Sequence, residues 1–218
     1  MRDKEKKQSI KGLLQMDLEA AKRNDPAAKS YREIKRTYAG YEAIRAYRKA
    51  HTLYLQGKTL QARVISQKAY RRTGIEIHPG AEIAGGCFID HGSGVVIGET
   101  AVIGENCTLY QGVTLGGTGK DKGKRHPTLG NNVMVSAGAK VLGPITVGDN
   151  SKIGAGSVVL CDVPPNCTVV GIPGRIVKRD GERVELDQSF PDPLLPEFAR
   201  ISCALETLYT EVQKLKEK

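Results

Sequence analysis

The sequence predicts an α+β chain in which a helical N-terminal domain leads into a triangular coil of short parallel β-strands and then into a C-terminal amphipathic helix. Three observations carry that expectation. Aliphatic residues recur every six positions between Ile77 and Val159, helix formers with apolar residues at three- and four-residue spacing fill the N-terminal third, and a second helical pattern closes the chain. The segments divide at 1–74, 75–178 and 179–218.

Composition sets the outer bounds. A chain of 218 residues buries enough apolar surface to need neither a disulfide nor a metal. Trp is absent, Phe occurs three times and Gly 25 times, which argues against aromatic-filled layers and for glycines in a regular backbone role.

From about 5 to 72 the helical pattern rests on positions such as Leu14, Leu18, Tyr41, Ile44 and Tyr47. Two breaks interrupt it. Asn24-Asp25-Pro26 reads as a capping residue before a proline at a helix start, and Gly57 reads as a helix end.

From 75 onward the period changes to six. Ile77, Ile83 and Ile89 form one run, Ile97, Ile103, Leu109 and Leu115 a second, and Leu129, Val135, Val141, Val147, Ile153 and Val159 a third. A helix cannot keep a period of six on one face, and a flat alternating strand wants a period of two. A hexapeptide repeat folded as a triangular coil satisfies it, with one hexad per side, every anchor pointing inward and small residues at the corners. The step lengthens to eight between Ile89 and Ile97 and to fourteen between Leu115 and Leu129, so a loop leaves the coil near 117–128. Insertions in a solenoid project as loops, where chemistry concentrates.

After the cluster Pro191, Pro193 and Pro196, the residues Phe198, Ile201, Leu205, Leu208, Val212 and Leu215 follow a 3, 4, 3, 4, 3 spacing. That is the seam of a short coiled coil or of a helix lying on its own domain.

Charge and cysteines narrow the function classes. Of the formal +9, residues 1–72 carry 19 Lys and Arg against 7 Asp and Glu, residues 73–178 carry 8 against 8, and residues 179–218 carry 6 against 9. The excess reads as a solvated helical face, so no nucleic-acid partner is expected. The charged start and the absence of a run of about 18 apolar residues predict a cytoplasmic protein without a membrane segment. Five cysteines with no CxxC pair fit a reducing compartment, with Cys161 and Cys167 as apolar filler.

Only four histidines are available. His51 lies among helical residues and reads as half-buried, and His78 precedes Pro79 at the first corner and reads as structural. His91, in Ile89-Asp90-His91-Gly92-Ser93-Gly94, interrupts the period beside a carboxylate. An imidazole there is suited to removing a hydroxyl proton, with glycines admitting a substrate. His126 ends the projecting loop beside Arg125, whose planar fork suits a carboxylate.

Asp90-His91, Val113-Thr114-Leu115-Gly116-Gly117-Thr118-Gly119-Lys120, Arg125-His126-Pro127, Gly154-Ala155-Gly156-Ser157-Val158-Val159 and Gly171-Ile172-Pro173-Gly174-Arg175 together resemble the serine acetyltransferases over roughly 25–178. The resemblance implies a left-handed parallel β-helix that moves the acetyl group of acetyl-CoA onto the hydroxyl of L-serine, the first step of cysteine biosynthesis, with no metal. It implies that His91 is the general base and that Glu76, fifteen residues earlier, orients it where family members carry Asp. Asp25 and Asp90 would hold the substrate ammonium, Arg125 and His126 its carboxylate, an arrangement that aims the hydroxyl between them. Gly117, Ala137 and Ala155 would line the acetyl-CoA groove, with Lys152 on a phosphate.

The resemblance further implies a homotrimer or a dimer of trimers with shared sites, and cysteine as a feedback inhibitor. The ending Lys216-Glu217-Lys218, in place of isoleucine, argues against a cysteine synthase complex. Three alternatives stay open on the residues alone. One is a hexapeptide acetyltransferase for a sugar, an antibiotic or another hydroxy amino acid such as homoserine; the others are a zinc enzyme with three histidine ligands and a non-catalytic scaffold.

Overall fold

The computed structural model describes residues 9–119, 122–184 and 195–216. Four helices open the chain: α1 (Ile10–Asn24), α2 (Tyr31–Thr37), α3 (Ala39–Leu55) and α4 (Thr59–Thr73). The Ser9 hydroxyl accepts from Gly12 N at 3.2 Å and caps α1, and Ser30 with Glu33 forms a reciprocal capping box on α2. Gly57 and Gly74, both with positive φ, end α3 and α4.

The sequence expectation at Asn24-Asp25-Pro26 needs correction. Asn24 is the last residue of α1 and Asp25 its C-cap, with Asp25 N donating to Ala21 O at 3.1 Å; the next helix starts only at Tyr31. The proline follows a helix end because it cannot continue one.

The coil consists of strands two or three residues long: β1 (Glu76–Ile77), β2 (Glu82–Ile83), β3 (Phe88–Ile89), β4 (Val96–Ile97), β5 (Val102–Ile103), β6 (Thr108–Leu109) and β7 (Thr114–Gly116). After the projecting loop follow β8 (Thr128–Leu129), β9 (Met134–Val135), β10 (Lys140–Leu142), β11 (Thr146–Val147), β12 (Lys152–Ile153) and β13 (Val158–Val159). Longer strands finish it: β14 (Cys167–Val170), β15 (Arg175–Arg179) and β16 (Glu182–Arg183).

Every third strand pairs in parallel, giving three faces. Face A is β1-β4-β7-β10-β13, face B is β2-β5-β8-β11, and face C runs β3-β6-β9-β12-β14 before turning antiparallel through β15 and β16. This is a left-handed β-helix of the hexapeptide type. All thirteen anchors named from the period of six are buried. Each contributes about 1.5–3 kcal/mol by leaving water. A second buried row sits two positions before them, including Ile75, Ala81, Cys87, Val95, Cys107, Val113 and Val133. Cys167 is buried and Cys161 half-buried, and all five cysteines are free thiols.

Two corners are built differently. Between faces B and C, Asn106, Asn132, Asn150 and Asn166 adopt φ of 56–59°. Their side chains stack as a ladder, Asn132 Nδ2 donating to Asn150 Oδ1 at 3.1 Å and Asn150 Nδ2 to Asn166 Oδ1 at 3.0 Å. Between faces C and A, Gly94, Gly112, Gly138 and Gly156 take that conformation and leave a strip of bare backbone.

Residues 1–186 form one compact unit, and the helices are bolted to the open edge of the first turn of the coil. Ser66 Oγ donates to Ile77 O at 2.6 Å, His51 Nδ1 lies 2.8 Å from Pro79 O, and Tyr47 O–H donates to Ala81 O at 2.6 Å. Arg48 donates to Ile83 O and Ala84 O while pairing with buried Asp17, whose Oδ1 accepts from Gly86 N and Cys87 N. An exposed β edge is a hazard, and here side chains of the helices bond a run of backbone groups between Ile77 and Cys87 along it. His51 is part of this cap. Gly40 of α3 lies so close to Ile89 O that any larger residue would clash.

Residues 187–218 form a second unit containing α5 (Leu195–Lys216). Phe198, Ile201, Leu205, Leu208 and Val212 are exposed on it. Pro196 falls in its first turn, whereas Pro191, Pro193 and the Leu215 side chain lie outside what is described. Among the described residues no helix is long and apolar enough to cross a membrane.

Candidate active site

The sequence-predicted site residues fall on two different corners. At the corner between faces C and A, Asp90 leaves β3 and His91 takes φ of 57°, a left-handed conformation costly for a residue with a Cβ. Asp90 Oδ1 accepts from His91 N at 2.9 Å and holds that turn. The His91 ring projects into solvent, and among the described residues it has no hydrogen-bond partner.

Helices α1 and α2 deliver further charge to this corner. Asp25 Oδ1 accepts from Ala27 N at 2.7 Å, and Oδ2 accepts a very short hydrogen bond from the Tyr38 hydroxyl. Together these two donors hold the Asp25 carboxyl below its usual range, with smaller contributions from His91 and Lys22. The Tyr38 phenol is pushed up to about 12 by the Asp25 carboxylate, with partial burial, Glu33 and Asp90 adding to it. The bonded pair Asp25 and Tyr38 feels the charges of His91 and Asp90, which puts the pair beside this corner. Glu76 stands on β1 of face A, half-buried and immediately past this corner; its carboxylate makes no hydrogen bond to His91 among the described residues. Ala137 and Ala155 stack along the same corner, each just before a glycine of the bare strip, and Lys152 is exposed on face C.

The corner between faces A and B carries the second set. The projecting loop, of which Lys120 and Asp121 lie outside the described residues, returns over Gly98-Glu99-Thr100. Arg125 Nη2 meets Glu99 Oε2 at 2.5 Å, and Glu99 Oε1 accepts from the Tyr54 hydroxyl at 3.2 Å. The Arg125 bond holds the Glu99 carboxyl below its usual range. His126 is half-buried, and burial followed by the Arg125 charge lowers its pKa, so the ring favours the neutral form. Gly98 forms the floor under this imidazole: a Cβ there would lie 1.9 Å from His126 Cδ2. Gly117, expected in the acetyl-CoA groove, lies against Arg125 O and His126 Nε2.

His78 sits at the same corner one turn below. Its Nδ1 accepts from Gly80 N at 3.0 Å, and burial lowers its pKa, as befits a turn residue.

Within one chain the structure therefore groups Asp25, Asp90, His91, Ala137 and Ala155 apart from Gly117, Arg125 and His126. Sequence reasoning missed Tyr38, Tyr54, Gly98, Glu99 and Thr100. Glu99-Thr100 gave the one available signal, two polar residues in a hexad whose corner faces the long loop.

The bacterial transferase hexapeptide (six repeats) family model matches residues 126–161. The chain is 54% identical to a serine acetyltransferase of Bacillus subtilis (strain 168) over 94% of its length and 96% of that protein. It is similar in structure to a serine acetyltransferase of Neisseria gonorrhoeae in complex with serine, with a TM-score of 0.75 and 44% identity over 78% of this chain and 69% of that one. A serine acetyltransferase of Brucella abortus strain S19 in complex with coenzyme A gives a TM-score of 0.75 at 43% identity, covering 79% and 68%. The chain belongs to the serine acetyltransferase family.

Proposed function

We propose that the protein transfers the acetyl group of acetyl-CoA to the hydroxyl of L-serine, giving O-acetyl-L-serine and CoA in cysteine biosynthesis, at sites shared between neighbouring chains of a homotrimer. One observation carries the reading. The two halves of a zwitterion site, carboxylates with a free imidazole and a guanidinium with a fixed imidazole, stand on different corners of a three-faced coil. Packing three such coils about an axis brings one corner of each chain against the other corner of its neighbour.

Asp25 and Asp90 receive the serine ammonium, and Asp25 retains lone pairs after its bonds to Ala27 and Tyr38. Arg125 and His126 of the adjacent chain hold the carboxylate. The hydroxyl then lies at His91, whose ring takes its proton as the oxygen attacks, and the same ring returns that proton to the leaving thiolate. Glu76 orients His91 once the site is assembled. Acetyl-CoA supplies the thioester carbonyl. The residues present suit it: the strip at Gly112, Ala137-Gly138 and Ala155-Gly156 offers peptide groups with no side chain beyond Cβ, as a pantetheine arm needs, and Lys152 stands on the adjoining face for a phosphate.

Cysteine presents the same ammonium and carboxylate with a thiol in place of the hydroxyl, so it competes for this site as an inhibitor. Five cysteines with no disulfide among them fit a reducing compartment and support a cytoplasmic reading. Following CoA release with serine, homoserine and a galactoside as acceptors tests the substrate assignment. Serine is expected to be strongly preferred, and transfer confined to the sugar would overturn it.

A further inference from the structure

We propose that Thr100 is a positioning residue that holds His126 in the tautomer carrying its proton on Nε2, so that the ring presents a fixed N–H donor to the substrate carboxylate. This rests on the reading of Arg125 and His126 as the carboxylate grip.

The assignment follows from counting donors and acceptors. Thr100 Oγ1 accepts from Arg125 N at 3.0 Å and from His126 N at 3.1 Å. A hydroxyl has two lone pairs, and both are then engaged. Its single hydrogen remains, and His126 Nδ1 lies 2.9 Å away. The backbone N–H of Thr100 points to the same nitrogen at 3.2 Å. With two donors converging on it, Nδ1 is an acceptor and carries no proton in the neutral ring. The proton therefore sits on Nε2, the atom that lies between the backbones of Gly98 and Gly117.

Thr100 does more than cap a turn. The same oxygen ties down the backbones of Arg125 and His126, and Thr100 O accepts from Lys124 Nζ at 2.8 Å. One residue of the coil thus fixes three consecutive residues of the loop. An alanine or valine would release two loop N–H groups and remove the hydroxyl, the shorter of the two contacts to the ring nitrogen, leaving only the backbone N–H on Nδ1, whereas serine retains every one of these bonds.

The test compares wild type, Thr100→Val and Thr100→Ser as intact oligomers. Nitrogen-15 NMR of the histidine rings, with His126 assigned by loss of its signals in His126→Gln, reads the tautomer directly. Nδ1 is expected unprotonated in wild type and Thr100→Ser, and a tautomer mixture is expected in Thr100→Val. The KM for serine in Thr100→Val should rise about five- to tenfold, as for one lost hydrogen bond. In the same variant kcat and the KM for acetyl-CoA should stay within about twofold, and Thr100→Ser should match wild type.

A protonated Nδ1 in wild type overturns the proposal, as does an unchanged serine KM in a folded Thr100→Val. Should the valine variant not fold, wild type and the serine variant still decide the tautomer. An Nε2–H tautomer that responds to Thr100→Val, joined with an unchanged serine KM in His126→Gln, overturns the carboxylate-grip reading and leaves the tautomer assignment standing.

Discussion

His91 and His126 stand on neighbouring corners of the same coil and are held in opposite ways. His91 is held only through its backbone, in a left-handed turn fixed by Asp90, with its ring exposed and unpartnered among the described residues. His126 is held through its ring, between the Gly98 floor and the Thr100 hydroxyl, with burial and Arg125 disfavouring its protonated form. In the proposed mechanism the ring that takes and returns the proton is the one left without a hydrogen-bond partner among the described residues. The ring proposed to present a constant donor is pinned, with its neutral form favoured. The difference lies in what the polypeptide around each ring satisfies, and the local sequence around each shows little of it.

That contrast can be broken in order of expected effect. Replacing His91 by Ala should lower kcat roughly 10²-fold or more, the usual worth of a general base, while leaving serine binding by calorimetry nearly unchanged. Replacing Arg125 by Ala should act in the opposite column. The serine KM should rise roughly ten- to a hundredfold, for the loss of a charged hydrogen bond of about 1.5–3 kcal/mol, with a smaller change in kcat; Arg125→Lys should recover only part, lacking the planar fork. Glu76→Gln should cost about tenfold in kcat through looser orientation of His91, and a variant with wild-type kinetics would remove Glu76 from the site.

The smallest effect is on stability. His126 has a folded pKa below the ordinary 6.5, so the folded state binds its proton less readily than the unfolded chain. Its contribution to stability is thus present above pH 6.5 and is lost as pH falls through the folded pKa. Denaturant midpoints measured between pH 7.5 and about 5 should fall less steeply for His126→Gln than for wild type, by an amount of about 1 kcal/mol or less given the partial exposure of the ring. A steeper fall for the variant would contradict the assignment.

The period of six made the coil legible because each anchor faces inward once per side, and all thirteen anchors are buried. The two lapses of that period pointed to His91 and to the Arg125-His126 loop for the same reason: a residue that leaves the ladder is not fixed there by the packing of the coil. The supporting residues were illegible because their partners are far away in sequence. Tyr38 reaches Asp25 across a helix end, Glu99 and Thr100 meet a loop 25 and 26 residues later, and Tyr54 reaches Glu99 from the helical domain. Asp25 itself illustrates the limit. Beside Pro26 it resembled the start of a helix, and only the folded chain puts its carboxylate near His91.

The central claim is that neither chain alone holds a complete site. Co-refolding His91→Ala with Arg125→Ala, each nearly inactive at low serine, tests it directly. Mixed trimers should regain activity, because about a quarter of the interfaces then pair an intact His91 with an intact Arg125 from the neighbouring chain. A mixture no more active than its two parents would mean that each site is built from one chain, contrary to the division of the two corners.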